Sequence, residues 1–553
     1  MMVTGAKAIV QCLLEQGVDT VFGYPGGMVL PLYDAFYDEP RIHHVLTAHE
    51  QGASHAADGY ARASGKVGVC VATSGPGATN LVTGLATAFM DSIPVVAITG
   101  QVPTSLLGRD AFQEVDIIGV TMPVTKHNFQ VKDVSKLMQT IRLAFKVASS
   151  GRPGPVLVDI PRDIFYQEVK FDSIPSAIMP EWKRKEDTED LVMQAIEVLN
   201  QAEKPLIVAG GGVISAGASE ELIAFAEKYQ FPVVTTLMGH GAFPREHKQS
   251  LGMTGLHGLE PANHAVYEAD VIIAVGSRFS DRLTGNRDKY IKGTNVIHID
   301  IDPAEIDKNV MSSIGLAGDM KMILHMLTHA EITLDNTDWW AMIHKWQEKY
   351  TFHYEDTCLN LPWVMHCIAE QTNGMDTIFV TDVGQHQMWA AQHLVINQPR
   401  SWISSGGLGT MGFGLPAAIG AQFAQRGKRI IHLAGDGGIK MTGSEYYTIA
   451  GEKLPIISII INNSSLGMIR QLQHVFYQDR YSACLLEHPM DFAAYAKSFG
   501  ISSVAVDTNQ AFAKALQDAL ASDIPQVIVV NVTKEYVSPM AKAGAAINQF
   551  ENL

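Results

Sequence analysis

Along the chain, short runs of valine, isoleucine and leucine alternate with longer stretches in which apolar residues return every three or four positions. The runs are apolar at nearly every residue, the pattern of strands buried on both faces; the longer stretches carry the helical period. Three such segments follow one another. The first covers about 1–165, with strands predicted at VGVCVATSG (67–75), IPVVAITG (93–100) and PGPVLVDIP (153–161). The second covers about 188–335, with KPLIVAGGG (204–212), PVVTTL (232–237), DVIIAVGSRF (270–279) and NVIHIDID (295–302). The third covers about 361–535, with DTIFVTDVG (376–384), RIIHLAGDG (429–437), PIISIIINN (455–463) and PQVIVVNV (525–532). Alternation of this kind predicts an α/β protein of three doubly wound parallel-sheet domains. The charged, proline-bearing stretch 167–190 reads as a linker, residues near 336–360 as a helical connection, and 536–553 as a tail without a pattern.

Charge narrows the partners. A formal net charge of −16 repels nucleic acid, and it also obliges any phosphate site to use a metal or converging backbone N–H groups. No apolar run approaches ~20 residues, so no membrane span is expected. The N-terminal MMVTGAKAIVQCLLEQGVD has helical spacing and no basic leader. Five scattered cysteines (Cys12, Cys70, Cys358, Cys367 and Cys484) predict reduced thiols in a cytoplasmic protein, and the lack of a CxxC pair disfavours zinc or iron–sulfur.

The strongest local signal is Gly435-Asp436-Gly437-Gly438, followed after a helical stretch and an apolar strand by Asn462-Asn463. RIIHLA predicts a strand, MTGSEYYTIAGEK a helix of about three turns, and LPIISIII a second parallel strand. One crossover of this length returns the chain to the same sheet edge, where open α/β sheets bind ligands. Asp436 and Asn463 then offer a carboxylate and an amide oxygen, a hard donor set suited to Mg²⁺ with phosphate oxygens completing the shell. The glycines admit a diphosphate close to the backbone.

This motif resembles the diphosphate motif of thiamin-diphosphate enzymes. The resemblance implies a glutamate in another domain that hydrogen-bonds the aminopyrimidine ring, and Glu50 in VLTAHEQGASHAADGYARASG matches it. Longer strings are similar to the catalytic subunit of acetohydroxyacid synthase over nearly the whole chain: GYPGG, ATSGPGATNLVTGLATA, ITGQVPTSLLGRDAFQEVD, SGRPGPVLVDIPRD, VGQHQMWAAQ and GGLGTMGFGLPAAIGA. The first, second and third domains would then bind the pyrimidine ring, FAD and the diphosphate. Val383, Gly384, Gln385 and His386, with Gly435, Gly437 and Gly438, would line the diphosphate. Asp436, Asn463 and Ser465 would hold Mg²⁺; Met411 would support the bent cofactor; Leu466, Gly467 and Met468 would run along it. Pro76, Asn80, Phe112 and Gln113 would face the reacting centre across a subunit boundary, with Gly27 and Lys126 at the substrate channel.

For FAD the resemblance points to Gly211, Gly212, Thr236, Leu237, His257, Arg278, Asp281, Arg282, Asp300, Ile301 and Asp319, joined by Arg152. The implied reaction decarboxylates pyruvate and transfers its two-carbon unit to a second 2-keto acid, in branched-chain amino acid biosynthesis. A homodimer or homotetramer, with a possible small regulatory subunit, is implied too. A pyruvate oxidase or a sister carboligase is the enzyme alternative, and a degenerate structural paralogue the non-enzymatic one. Five positions depart from the family's usual pattern. Ser280 stands where an aspartate is usual, and Gly438-Ile439 where Ser-Phe is usual. Leu472 replaces a tryptophan that shapes the acceptor pocket, and Met122 replaces an arginine. Leucine at 472 predicts weak preference for 2-ketobutyrate over pyruvate as acceptor.

Overall fold

The computed structural model describes residues 1–172, 188–291, 293–355 and 358–553; most of the predicted linker lies outside the described residues. Three six-stranded sheets, parallel throughout, follow one another along the chain. In spatial order the first holds His43–Leu46, Thr20–Gly23, Gly68–Ala72, Val95–Gln101, Val156–Pro161 and His127–Gln130. The middle sheet runs Ser250–Met253, Val233–Thr235, Pro205–Ala209, Val271–Val275, Asn295–Asp300 and Ile314–Ala317. The third runs Trp402–Ile403, Thr377–Thr381, Arg429–Gly435, Ile457–Asn462, Gln526–Asn531 and Ser502–Val506. Helices cover both faces of each, because a parallel connection must cross over the sheet. The start of the predicted linker is ordered: Glu168–Lys170 pairs antiparallel with Met2–Thr4.

The first and third sheets share one apolar core, which runs from Phe22 and Val45 to Ile430 and Ile460. Its seam is the pair of helices Glu50–Ser64 and Gly414–Ala424. They touch backbone to backbone. A methyl group at Gly59 would stand 2.1 Å from the Ala417 carbonyl oxygen, and one at Gly420 would stand 1.8 Å from that of Ala56. Arg62 locks the seam. Its buried guanidinium pairs with Asp58 and, at 2.9 Å, with Asp91, and it donates to the Ser404 carbonyl at 2.9 Å. Asp91 in turn accepts from the backbone N–H groups of Gly406 and Gly407 at 3.2 and 2.7 Å.

Two segments differ from the sequence expectation. The crossover after Asp436 is no single helix but three short pieces: Asp436–Thr442, Gly443–Glu445 and Tyr446–Gly451. The break falls at Thr442, which leaves the helical region (φ −130°) while its hydroxyl donates to the Gly412 carbonyl. The tail is stitched down. The Ala541 N–H bonds the Leu256 carbonyl of the middle domain at 2.7 Å, and Asn263 donates to the Ile547 carbonyl at 3.1 Å.

Candidate active site

Strands Arg429–Gly435 and Ile457–Asn462 are parallel neighbours with Gly435 opposite Ile461, so Asp436 and Asn463 leave the sheet side by side at its carboxyl edge. Asp436 opens a helix and is buried; its Oδ1 accepts from the Gly437 N–H at 2.7 Å. Its Oδ2 is buried with no partner among the described residues. Burial pushes this carboxyl up to about 6. The Asn463 side-chain oxygen accepts from the Ser465 N–H and hydroxyl, both at 3.1 Å. Among the described residues no cluster of three His, Cys, Asp or Glu side chains could hold a metal. A cation here has one carboxylate, amide and hydroxyl oxygens, and whatever its ligand brings.

The edge opens into a cavity of about 1270 Å³ that runs from the third domain into the middle one. Every third-domain candidate lines it, from Val383 through Met411 to Leu472. So does every middle-domain candidate, from Gly211 through Arg278 to Asp319, and so does Arg152 from the first domain. The wall carries further orphaned polar atoms: His386 Nε2, Gln385 Oε1, His257 Nε2 and Ser277 Oγ are buried without partners among the described residues. Burial depresses His386 and His257 to about 4, so both rings are neutral. Gly210 and Gly276 pack so tightly that a methyl group at Gly210 would meet the Gly276 carbonyl at 2.1 Å, which leaves the space above them open. Arg152 is engaged already, by Asp302 at 3.3 Å and Glu305 at 2.5 Å. Arg282 and Asp281 face each other loosely at 3.9 Å on the exposed rim.

The first-domain candidates behave differently. Glu50, Pro76, Asn80, Phe112, Gln113, Met122 and Gly27 are absent from the walls of this cavity. Among them, Glu50, Asn80 and Gln113 converge on the turn at Gly75–Gly77. The Glu50 carboxylate accepts from Asn80 at 3.0 Å, and a methyl group at Gly77 would stand 3.2 Å from it. Gln113 lies against the same turn, with its carbonyl 2.8 Å from where a methyl group at Gly75 would sit. Gln113 is held at φ +60°, a left-handed conformation that costs a side-chain-bearing residue about 1 kcal/mol. Phe112 and Met122 are 82% and 66% exposed, a large apolar surface facing outward. Lys126 stands apart: its amine donates to the Val147 carbonyl at 2.6 Å and to that of Ser150, closing the end of helix Val134–Ser149.

Sequence reasoning missed three contributors. Glu445, buried in the broken crossover, accepts from the N–H groups of Ala48 and His49 at 3.1 and 3.2 Å and so seats the helix that begins with Glu50. Met540 in the tail and Asp91 also line the cavity. Nothing set Glu445 apart in a crossover that also carries Lys440, Glu452 and Lys453, and the tail gave no signal either.

Fold and site define a thiamine pyrophosphate enzyme. The chain matches the models of that class for its N-terminal TPP binding domain over 3–120, its central domain over 192–327 and its C-terminal TPP binding domain over 382–530. It is 45% identical to the probable acetolactate synthase large subunit of Methanocaldococcus jannaschii, over 98% of this chain and 94% of that one. The acetolactate synthase large subunit of Parasynechococcus marenigrum is 46% identical over 100% and 91%, and that of Lactococcus lactis 44% over 98% and 95%. The chain belongs to the acetolactate synthase large-subunit family.

Proposed function

We propose that the chain decarboxylates pyruvate and joins the two-carbon unit to a second 2-keto acid, giving 2-acetolactate or 2-acetohydroxybutyrate for branched-chain amino acid synthesis in the cytoplasm. Thiamin diphosphate, Mg²⁺ and FAD are its cofactors, and residues 1–165, 188–335 and 361–535 are its pyrimidine, FAD and diphosphate units. The observation that carries the reading is the buried, unpartnered Asp436 oxygen on the wall of a cavity that continues into the middle domain. Bound thiamin diphosphate would supply an acidic thiazolium carbon and an electron sink for the pair left behind when carbon dioxide departs.

The residues divide the work. Asp436 and Asn463, with Ser465, hold the cation against the diphosphate; Gly437, Gly438, Gln385 and His386 border that group without adding charge. Arg278 and Arg282 suit the FAD pyrophosphate, and the glycines Gly211 and Gly212 suit close approach of its backbone-contacting phosphates. Met411 and Met468 keep water from the reacting face. Glu50 holds the proton of the pyrimidine ring nitrogen on one carboxylate oxygen while Asn80 fixes the other. Because the Glu50 group does not line the cavity of its own chain, it serves the cavity of a second copy. A homodimer is the smallest complete enzyme, with a tetramer or a small regulatory subunit as further assembly.

Purified protein should show a flavin absorbance band and form acetolactate from pyruvate alone, without net flavin reduction. A flavin bleached by pyruvate under anaerobic conditions would replace this reading with an oxidase. Protein that neither retains thiamin diphosphate with Mg²⁺ nor releases carbon dioxide from any 2-keto acid would end it.

A further inference from the structure

One buried side chain outside the cavity touches three parts of its wall. Asp382 follows strand Thr377–Thr381 and is 1% exposed. Its carboxylate accepts from the Val383 N–H at 2.7 Å and, with both oxygens, from the Gly412 N–H at 2.8 and 3.0 Å. The third contact is an approach without a bond. A methyl group at Gly438 would stand 2.2 Å from Asp382 Oδ2 and 2.8 Å from its Cγ. Val383, His386, Met411 (beside Gly412) and Gly438 all line the cavity, whereas Asp382 does not.

A carboxyl this deep is costly unless paired, and its hydrogen-bond donors here are backbone N–H groups alone. Burial holds it up at about 7. Residues in such surroundings persist where they fix geometry that packing alone leaves loose. Glycine at 438 is what makes the arrangement possible, since any side chain there would occupy the space of the carboxyl.

We propose that Asp382 is a positioning residue for the diphosphate of the cofactor: it spaces the Gly438 turn from the Val383–His386 segment and anchors Gly412, and with it Met411, by filling the gap between them. The proposal rests on the reading of this cavity as a thiamin diphosphate site. It predicts that positions 382 and 438 are coupled. Residues in contact interact by enough to change an equilibrium several-fold to more than tenfold, whereas independent substitutions add.

The test is a double-substitution cycle in the full-length protein with Mg²⁺ in excess. The dissociation constant of thiamin diphosphate is measured by equilibrium dialysis, and its KM and kcat by acetolactate formation. Gly438→Ala should weaken binding by about tenfold or more, because the methyl displaces the carboxyl, and should raise KM for the cofactor far more than it lowers kcat. Asp382→Ala should weaken it by about tenfold through the lost anchor on Gly412. The double variant should bind better than Gly438→Ala alone. Asp382→Asn, which keeps the shape and one acceptor oxygen, should bind better than Asp382→Ala. Penalties that simply multiply, or a Gly438→Ala protein that binds like the parent, would overturn the proposal while leaving the site reading intact. A parent that binds no thiamin diphosphate would overturn both. Should Gly438→Ala fail to fold, the order Asp382→Asn over Asp382→Ala decides alone, and equal affinities would count against the proposal.

Discussion

In the first domain, Asp159 lies beneath the loop that carries Phe112 and Gln113. It accepts from side chains: Thr99 at 2.8 Å, Gln130 at 3.0 Å and Gln101 at 3.2 Å. Gln101 passes the support on by donating to the Val115 carbonyl at 2.9 Å. In the third domain, Asp382 lies beneath the Gly437–Gly438 turn and accepts from backbone N–H groups only. Both carboxyls are buried, and burial raises both, Asp159 to about 6 and Asp382 to about 7. What stands above them differs. Over Asp382 is a cavity with a buried Asp436; over Asp159 is an exposed loop with Phe112 pointing at solvent. Under the proposed reading, the diphosphate half lies within one chain, while the pyrimidine half is a strained, apolar face that no other segment covers among the described residues. Under the proposed pairing, the second copy supplies that cover.

The largest test of this contrast is Glu50→Gln. It should lower the rate of acetolactate formation by about 10²–10⁴-fold, the usual worth of a positioned acid–base group, while melting temperature and cofactor retention stay near the parent's. Asp436→Ala attacks the other half and should instead abolish Mg²⁺-dependent retention, weakening cofactor affinity by about 10–100-fold or more in equilibrium dialysis. If both variants failed in the same way, the two halves would not be separable.

Leu472→Trp sharpens the picture within the finished half. In competition between pyruvate and 2-ketobutyrate as acceptors, it should shift the product ratio toward acetohydroxybutyrate by about tenfold, since filling a pocket by a few atoms is worth about 1–3 kcal/mol. A parent that already strongly favours acetohydroxybutyrate would remove the role assigned to Leu472.

The smallest effect is on stability. Asp159 and Asp382 hold their protons to a higher pH when folded than the roughly 3.9 of a free aspartate. The folded state therefore binds more protons than the unfolded one between about pH 4 and 7, and stability from this source is full below that window and lost as pH rises through it. Relative to the parent, Asp159→Asn should gain melting temperature as pH rises toward about 6, and Asp382→Asn should keep gaining to about 7. Calorimetry on cofactor-free protein from pH 5 to 8 would separate the two curves; identical curves would mean that the two carboxyls titrate alike.

Most inner strands were legible because they are buried on both faces and so read as unbroken apolar runs, as in Val271–Val275 and Ile457–Asn462, but the four-residue Thr20–Gly23 was not predicted. Edge strands were not. Trp402–Ile403 has two residues, and Ser502–Val506 is largely exposed, so neither presents such a run. Within the site, Asp436 and Asn463 were readable from spacing because one crossover fixes their juxtaposition. Glu445 and Asp382 were not, since their importance lies in what they touch hundreds or tens of residues away. The expected three-turn helix failed because a threonine hydroxyl found a carbonyl in another segment, a tertiary contact that local propensity does not encode.

The tail closes the cavity like a strap threaded through a buckle. Gln471, fully buried beside Leu472, accepts from the Val537 N–H at 2.9 Å and returns a bond to its carbonyl at 3.0 Å, while also receiving the Gln385 amide at 2.8 Å. The strap then crosses to the middle domain at Ala541. A single protease cut between Tyr536 and Ala541 would therefore slacken the third-domain wall and the middle-domain wall of the cavity at once, so resistance to cleavage at that spot should track how firmly the two walls are held together.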